Sequence, residues 1–171
     1  MKVGKGTKTR IINIKSIRDS VIEKYDEHFF NALLGLHAFT GCDSISSFAG
    51  KGKVKAINIF MKYPEFIPFF SELGKNWVAT EELIDNLEEF VCVLYGKKMS
   101  SIDTLRHQLF CAKGGKVDPE QLPPCKSSLA LHIRRANYQA CVWRRALNAN
   151  PRIPSPNGHG WDADDTNISI K

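Results

Sequence analysis

Nowhere in this sequence does an apolar run approach the roughly 18–20 residues that a helix needs to span a bilayer. The basic start, MKVGKGTKTR, has no apolar segment of signal-peptide type behind it, so secretion is not expected. Paired cysteines are missing too: Cys42, Cys92, Cys111, Cys125 and Cys141 stand far apart, with no CxxC among them. An odd, dispersed set without a leader reads as reduced thiols in the nucleus or cytoplasm. Cys111, Cys125 and His132 match no zinc-finger or knuckle spacing. Internal repeats are absent, and no Ser/His/Asp or Cys/His set has a recognisable catalytic spacing. Membrane spans, secreted disulfide scaffolds and solenoids are thereby set aside.

What is present suits one ordinary domain of 171 residues with a short appendage at either end. A hydrophobic fraction of 43% with 25% charged residues argues against wholesale disorder. The net charge of +6 is unevenly spread. Residues 1–24 hold seven Lys/Arg against two acids, GKGKVK adds three lysines, and Lys126 to Leu147 holds one lysine and four arginines with no acid. From Glu72 to Glu89 the sign reverses, with six acids against Lys75. A basic surface beside a separate acidic helix favours a polyanion partner, nucleic acid, over a membrane. Each patch taken singly also reads as a solvated face with no partner.

Along the chain, TRIINIKSI alternates like a strand, although a lone strand needs neighbours. The rest reads as helices. Asp26 to Thr40 has helical apolar spacing, including His37 on the apolar face, with Asp26 as N-cap and Gly41 as terminator. Lys53 to Tyr63 is a second helix with Val54, Ile57 and Met61 inward, ended by Pro64. PEFIPFF forms a short apolar turn or helix. Glu81 to Tyr95 is an acidic amphipathic helix capped by Thr80. Ser100 and Asp103 suggest a capping box opening a short helix through Phe110. The longest helix runs from Lys126 to about Asn148, with Leu129, Ile133, Ala136, Ala140, Trp143 and Leu147 spaced as an a/d seam that can dock on a neighbouring helix. After Asn150 the Pro-, Gly- and Asp-rich composition predicts an extended tail or linker.

The most informative stretch is GLHAFTGCDSISSFAGKGKVKA, residues 35–56. Gly50 and Gly52 permit a tight turn, and a helix starts directly behind them, so free N–H groups point back into the turn. With Lys51, Lys53 and Lys55 beside it, this is a ready phosphate site. It lacks the GxxxxGK[ST] spacing of a P-loop. A lysine-decorated turn without a ligand is the bland alternative. On the long helix, Arg134 and Arg145 fall on nearly the same face with Tyr138 between them, an arrangement that can grip phosphate and stack a base. The plainer alternative is the wet side of an amphipathic helix, paired with Glu81–Glu89.

The segment LLGLHAFTGCDSISSFAGKGKVKAINIF resembles the flap-endonuclease (XPG-type) nucleases of the PIN-like superfamily, where the catalytic core runs into a helix–two-turn–helix. Gly41-Cys42-Asp43 matches the family's Gly-Cys/Ser-Asp triplet, and Gly50 through Ala56 matches its glycine turn. This resemblance covers about residues 8–63. LHAFTGCDS and HIRRANYQACVWRRAL also resemble a set of animal proteins, many transposon-associated, that share this region along nearly the whole chain and imply no activity.

The resemblance reads this mainly α pattern as a helical bundle with a helix–two-turn–helix-like motif and one short N-terminal strand, a truncated α/β PIN-like domain. It divides the chain into residues 1–63, the remnant of the core; 64–150, a helical extension; and 151–171, the tail. It also implies that Asp43 is a metal ligand. Two divalent ions about 4 Å apart need several oxygen ligands, and one aspartate does not supply them. The family's other carboxylates lie on strands upstream of the point matching Thr7. The expectation is therefore a C-terminal piece or a degenerate copy that does not cut alone, with Mg or Mn in a full-length form and no cofactor for this chain. The function expected is DNA-backbone binding without sequence preference, DNA before RNA, through Gly50, Lys51, Gly52, Lys53, Lys55, Arg134 and Arg145. The alternative is a helical protein-interaction module without nuclease activity. Cys42 reads as a small buried residue, and His37 as a packed one.

Overall fold

Apolar spacing of three and four residues dominates the chain, and the fold is mainly helical as that spacing predicts. The computed structural model describes residues 1–163 and 168–170. The helices are α1 (Ile14–Tyr25), α2 (Glu27–Phe39), α3 (Lys53–Lys62), α4 (Ile67–Glu72), α5 (Glu81–Leu94), α6 (Ile102–Ala112) and α7 (Lys126–Arg144). Two small antiparallel hairpins flank them: β1 (Lys2–Val3) with β2 (Arg10–Ile11), and β3 (Trp161–Ala163) with β4 (Ile168–Ile170). Among the described residues, no helix is long and apolar enough to cross a membrane.

Phenylalanines build the centre. Phe39, Phe60, Phe70 and Phe90 are fully buried, and Phe70 meets Phe90 edge-on with ring centroids 4.7 Å apart. Phe39 and Phe60 contact Phe70 at 5.4 and 5.5 Å. Such edge-to-face pairs add to the area that each ring removes from water. Close backbone approaches let α4 and α7 reach this centre. A Cβ on Gly35 would stand 2.2 Å from the Phe70 carbonyl oxygen, and Gly74 (φ +85°) lies against Ala140.

Several local expectations need correction. The strand predicted over TRIINIKSI is only Arg10–Ile11, and its partner is Lys2–Val3. From Ile14 the chain is helical, because the Asn13 side chain caps it by accepting from Ser16 N–H, and Ile14, Ile17 and Val21 also fit a helical stripe. On α3 the inward residues are Ala56 and Phe60, whereas Val54, Ile57 and Met61 face solvent. Both stripes are apolar, and the aromatic centre selects the one bearing Phe60. The cap of α6 is Ser101, one residue later than expected. His37 is exposed, because α2 buries Ala32, Gly35, Leu36 and Phe39 instead.

The caps of α2 and α5 are as the sequence predicts: Asp26 accepts from Phe29 N–H at 2.7 Å, and Thr80 from Leu83 N–H at 3.2 Å. The seam of α7 is buried through Leu129, Ile133, Ala136 and Ala140, but the helix stops at Arg144 and Leu147 is fully exposed. The segment after Asn150, read as a tail, packs back on α7. The Tyr138 hydroxyl donates to the Pro154 carbonyl, Arg135 donates to the Gly160 carbonyl, and Gly160 lies against the Leu131 carbonyl. Residues 164–167 and 171 of that segment lie outside the described residues.

Candidate nucleic-acid interface

The turn after α2 is fixed from both sides. Thr40 Oγ donates to the Leu36 carbonyl at 2.7 Å, and Gly41 takes φ +99° to leave the helix. Cys42 and Ile45 exchange two backbone bonds of 2.9 and 3.2 Å, which closes a tight turn with Asp43 and Ser44 at its tip. Ile45 and Phe48 anchor the loop in the interior, and Ser44 Oγ is tied to Gln139 of α7 at 2.6 Å. Asp43 is consequently exposed.

Its surroundings do not fit a pair of divalent ions. His37, Cys42 and Lys53 line the same pocket, where Asp43 is the one carboxylate among the described residues. Partial burial, and then the Lys53 charge, lower the pKa of His37, and Asp43 opposes them. Among the described residues, no three His, Cys, Asp or Glu side chains converge on a point that would hold a metal. Hard divalent ions need more oxygen than one exposed aspartate provides.

The glycine turn is open as expected. Gly50 takes φ +65°, and a Cβ at Gly50 or Gly52 would meet no atom within 4 Å. Gly52 is the N-cap of α3 and offers no side chain, so no side chain caps this helix start. The first backbone bond of the helix is Ala56 N–H to the Gly52 carbonyl, which leaves the preceding amides facing the turn.

The three lysines of the turn have three different fates. Lys53 reaches back and donates to the His37 carbonyl (2.9 Å), Thr40 Oγ (3.0 Å) and the Gly41 carbonyl. It thus caps the carbonyl end of α2 and locks the corner between α2 and α3. Lys51 lies over the Tyr95 ring, its Nζ 4.6 Å from the centroid. Lys55 is exposed and close enough that its charge, after burial, lowers the pKa of Lys51. Lys51 thus precedes the uncapped helix start and Lys55 stands on its first turn.

Arg134 and Arg145 do not join them. Arg134 pairs with Glu81 at 3.4 Å, at the first turn of α5. Lys51 sits on Tyr95, past the other end of that helix and about 20 Å away along its axis. Arg145 donates to the carbonyls of Gly74, Cys141 and Lys75 and lies over the Trp77 ring at 4.6 Å. Tyr138 packs between Trp77 and His159. Sequence reasoning also missed Tyr95, the aromatic platform under Lys51. Its position just before Gly96, at the end of an acidic helix, carries no motif. No family model, curated protein or solved structure matches this chain.

Proposed function

We propose that this chain binds the sugar–phosphate backbone of nucleic acid, DNA before RNA and without sequence preference, through the start of α3. The observation that carries the reading is the uncapped helix start, with Lys51 just before it, Lys55 on its first turn, and Gly50 and Gly52 leaving it open. Amides and ammonium groups of this kind recognise phosphate, not base edges. Of the five cations expected from the sequence, Lys51 and Lys55 form this interface; Lys53 serves the fold. Asp43 would be the contribution of this region to a metal site in a longer flap-endonuclease-like protein, and the chain alone is catalytically incomplete. Its free cysteines suit a nuclear or cytoplasmic setting. The test is fluorescence anisotropy on duplex and flapped DNA at low ionic strength. Replacing Lys51 and Lys55 together by alanine should weaken binding at least about tenfold.

A second reading, a protein-interaction module, draws on a different observation. Helix α1 buries none of its residues, and Val54, Ile57 and Met61 of α3 form an exposed apolar stripe. Failure of the wild-type chain to bind either DNA at low salt would favour this reading.

A further inference from the structure

Next to the Lys51–Tyr95 contact, the loop after α2, the loop before α7 and the first half of α7 line a partly open cavity of about 270 Å³ that Tyr95 also borders. Ser46 and Ser47 come from the first loop, Arg106 from α6, and Ser128, His132 and Arg135 from α7. Arg135 is buried, and no carboxylate lies within ion-pair distance of it or of Arg106 among the described residues. Glu120 stands on the exposed rim and pairs with neither. A guanidinium withdrawn from water without a counter-charge is costly.

The fold explains only part of this. Arg135 donates from one terminal nitrogen to the Gly160 carbonyl at 2.9 Å, and its guanidinium lies 5.7 Å from the Trp161 ring centroid, which holds the C-terminal segment down. Its Nε–H is buried with no acceptor. Arg106 donates to the Pro123 carbonyl. His132 adds no positive charge: its Nε2 is 2.8 Å from the Phe39 carbonyl and so carries the hydrogen, leaving the other nitrogen an acceptor. The cavity thus combines two guanidinium groups without an ion-pair partner among the described residues, Ser46, Ser47, Ser128 and Tyr95, and the Glu120 carboxylate at its rim. Its volume lies below the range usual for drug-sized ligands.

We propose that this cavity binds a phosphomonoester dianion, held by Arg106 and Arg135 and oriented by the Ser46 and Ser47 hydroxyls. Guanidinium–phosphate contact supplies the missing counter-charge. The assignment does not rest on backbone binding at α3, although the loop carrying Ser46 and Ser47 leads directly into Lys51.

The test is a titration of the ¹⁵N-labelled full chain with inorganic phosphate and with phenyl phosphate at constant ionic strength, following the Arg135 Nε–H resonance. The expected result is a saturable shift that Arg106→Gln weakens roughly tenfold, the loss of one charge-assisted contact. Because Arg106 also holds a loop carbonyl, a second variant is needed. Ser128 is exposed on the first turn of α7, where an added carboxylate suits the helix, so Ser128→Glu should fold and abolish binding by occupying the cavity with its own anion. A 5′-phosphorylated oligonucleotide that competes while its 5′-hydroxyl twin does not assigns the phosphate to a strand end. Competition by neither, with phenyl phosphate still bound, assigns it to a small molecule. Either supports the cavity as a phosphomonoester site. No saturable shift at tens of millimolar, or undiminished binding in Ser128→Glu, overturns it.

Discussion

His132 shows how burial sets the chemistry of one residue. Desolvation lowers its pKa to about 4, with the nearby Arg135 charge acting in the same direction, while the hydrogen bond to the Phe39 carbonyl acts the other way. The unfolded chain binds this proton near pH 6.5, so between pH 6.5 and 4 it holds more protons than the folded one. Stability is therefore full above pH 6.5 and falls as pH drops towards 4. The loss should reach about 3 kcal/mol by pH 4. His132→Gln, which keeps a donor for Phe39, should cancel that part of the acid sensitivity in urea melts. An unchanged pH slope in the variant would contradict the assignment. Cys125 is displaced the opposite way from most buried thiols: it lies at the start of α7, with Ser127 and Ser128 hydroxyls each 3.2 Å from its sulfur, and its pKa falls to about 7. Cys92 is pushed up to about 12 by burial and by Glu88 and Glu89. Iodoacetamide at pH 7 should label Cys125 well before Cys92, and Ser127→Ala with Ser128→Ala should move the midpoint of its reactivity to higher pH. A wild-type midpoint near pH 9 would contradict this.

The elements are held as much by polar side chains reaching backbone groups as by the aromatic centre. Glu88, buried in α5, accepts from Ile102 N–H at the start of α6 at 2.8 Å, and its other oxygen stands 3.0 Å from Lys126 Nζ. Asp103 of α6 in turn accepts from Lys126 N–H at the start of α7. At the far end of α7, Asn137 bonds Gly74, Asn76 and Trp77, while Arg144 donates to the Leu73, Asn31 and Ser71 carbonyls. Arg144→Met should cost about 2–3 kcal/mol, since three carbonyls lose a charged donor. Arg134→Met should cost under about 1 kcal/mol, its pair with Glu81 being exposed. Equal shifts in denaturant midpoint would refute the distinction.

Those carbonyl contacts also mark what the sequence made legible. Caps at Asp26 and Thr80, the stripe of α5 and the seam of α7 were readable, because each depends on spacing within one helix. The fates of Arg145 and Lys53 were not, since both depend on carbonyls brought near by tertiary packing. The inward face of α3 was ambiguous for a related reason: two apolar stripes compete, and only the phenylalanine cluster decides.

For the molecule as a whole, the open corner between α2 and α3 is the feature that the fold keeps free while securing its surroundings. Lys53 and the Cys42–Ile45 turn hold that corner, and Asp43 sits at its edge without a second carboxylate. The chain should therefore not cleave flapped or single-stranded DNA with Mg²⁺ or Mn²⁺; cleavage lost in Asp43→Asn would contradict this. The central claim, backbone binding by the α3 start, is tested most directly by the salt dependence of duplex binding. Each neutralised phosphate contributes about 0.9 to the slope of log K against log salt concentration. Replacing Lys51 and Lys55 together should flatten that slope by about two, with the fold intact. Lys53→Met should lower thermal stability and leave the slope unchanged. A slope indifferent to Lys51 and Lys55, or one that flattens with Lys53 alone, would contradict the account.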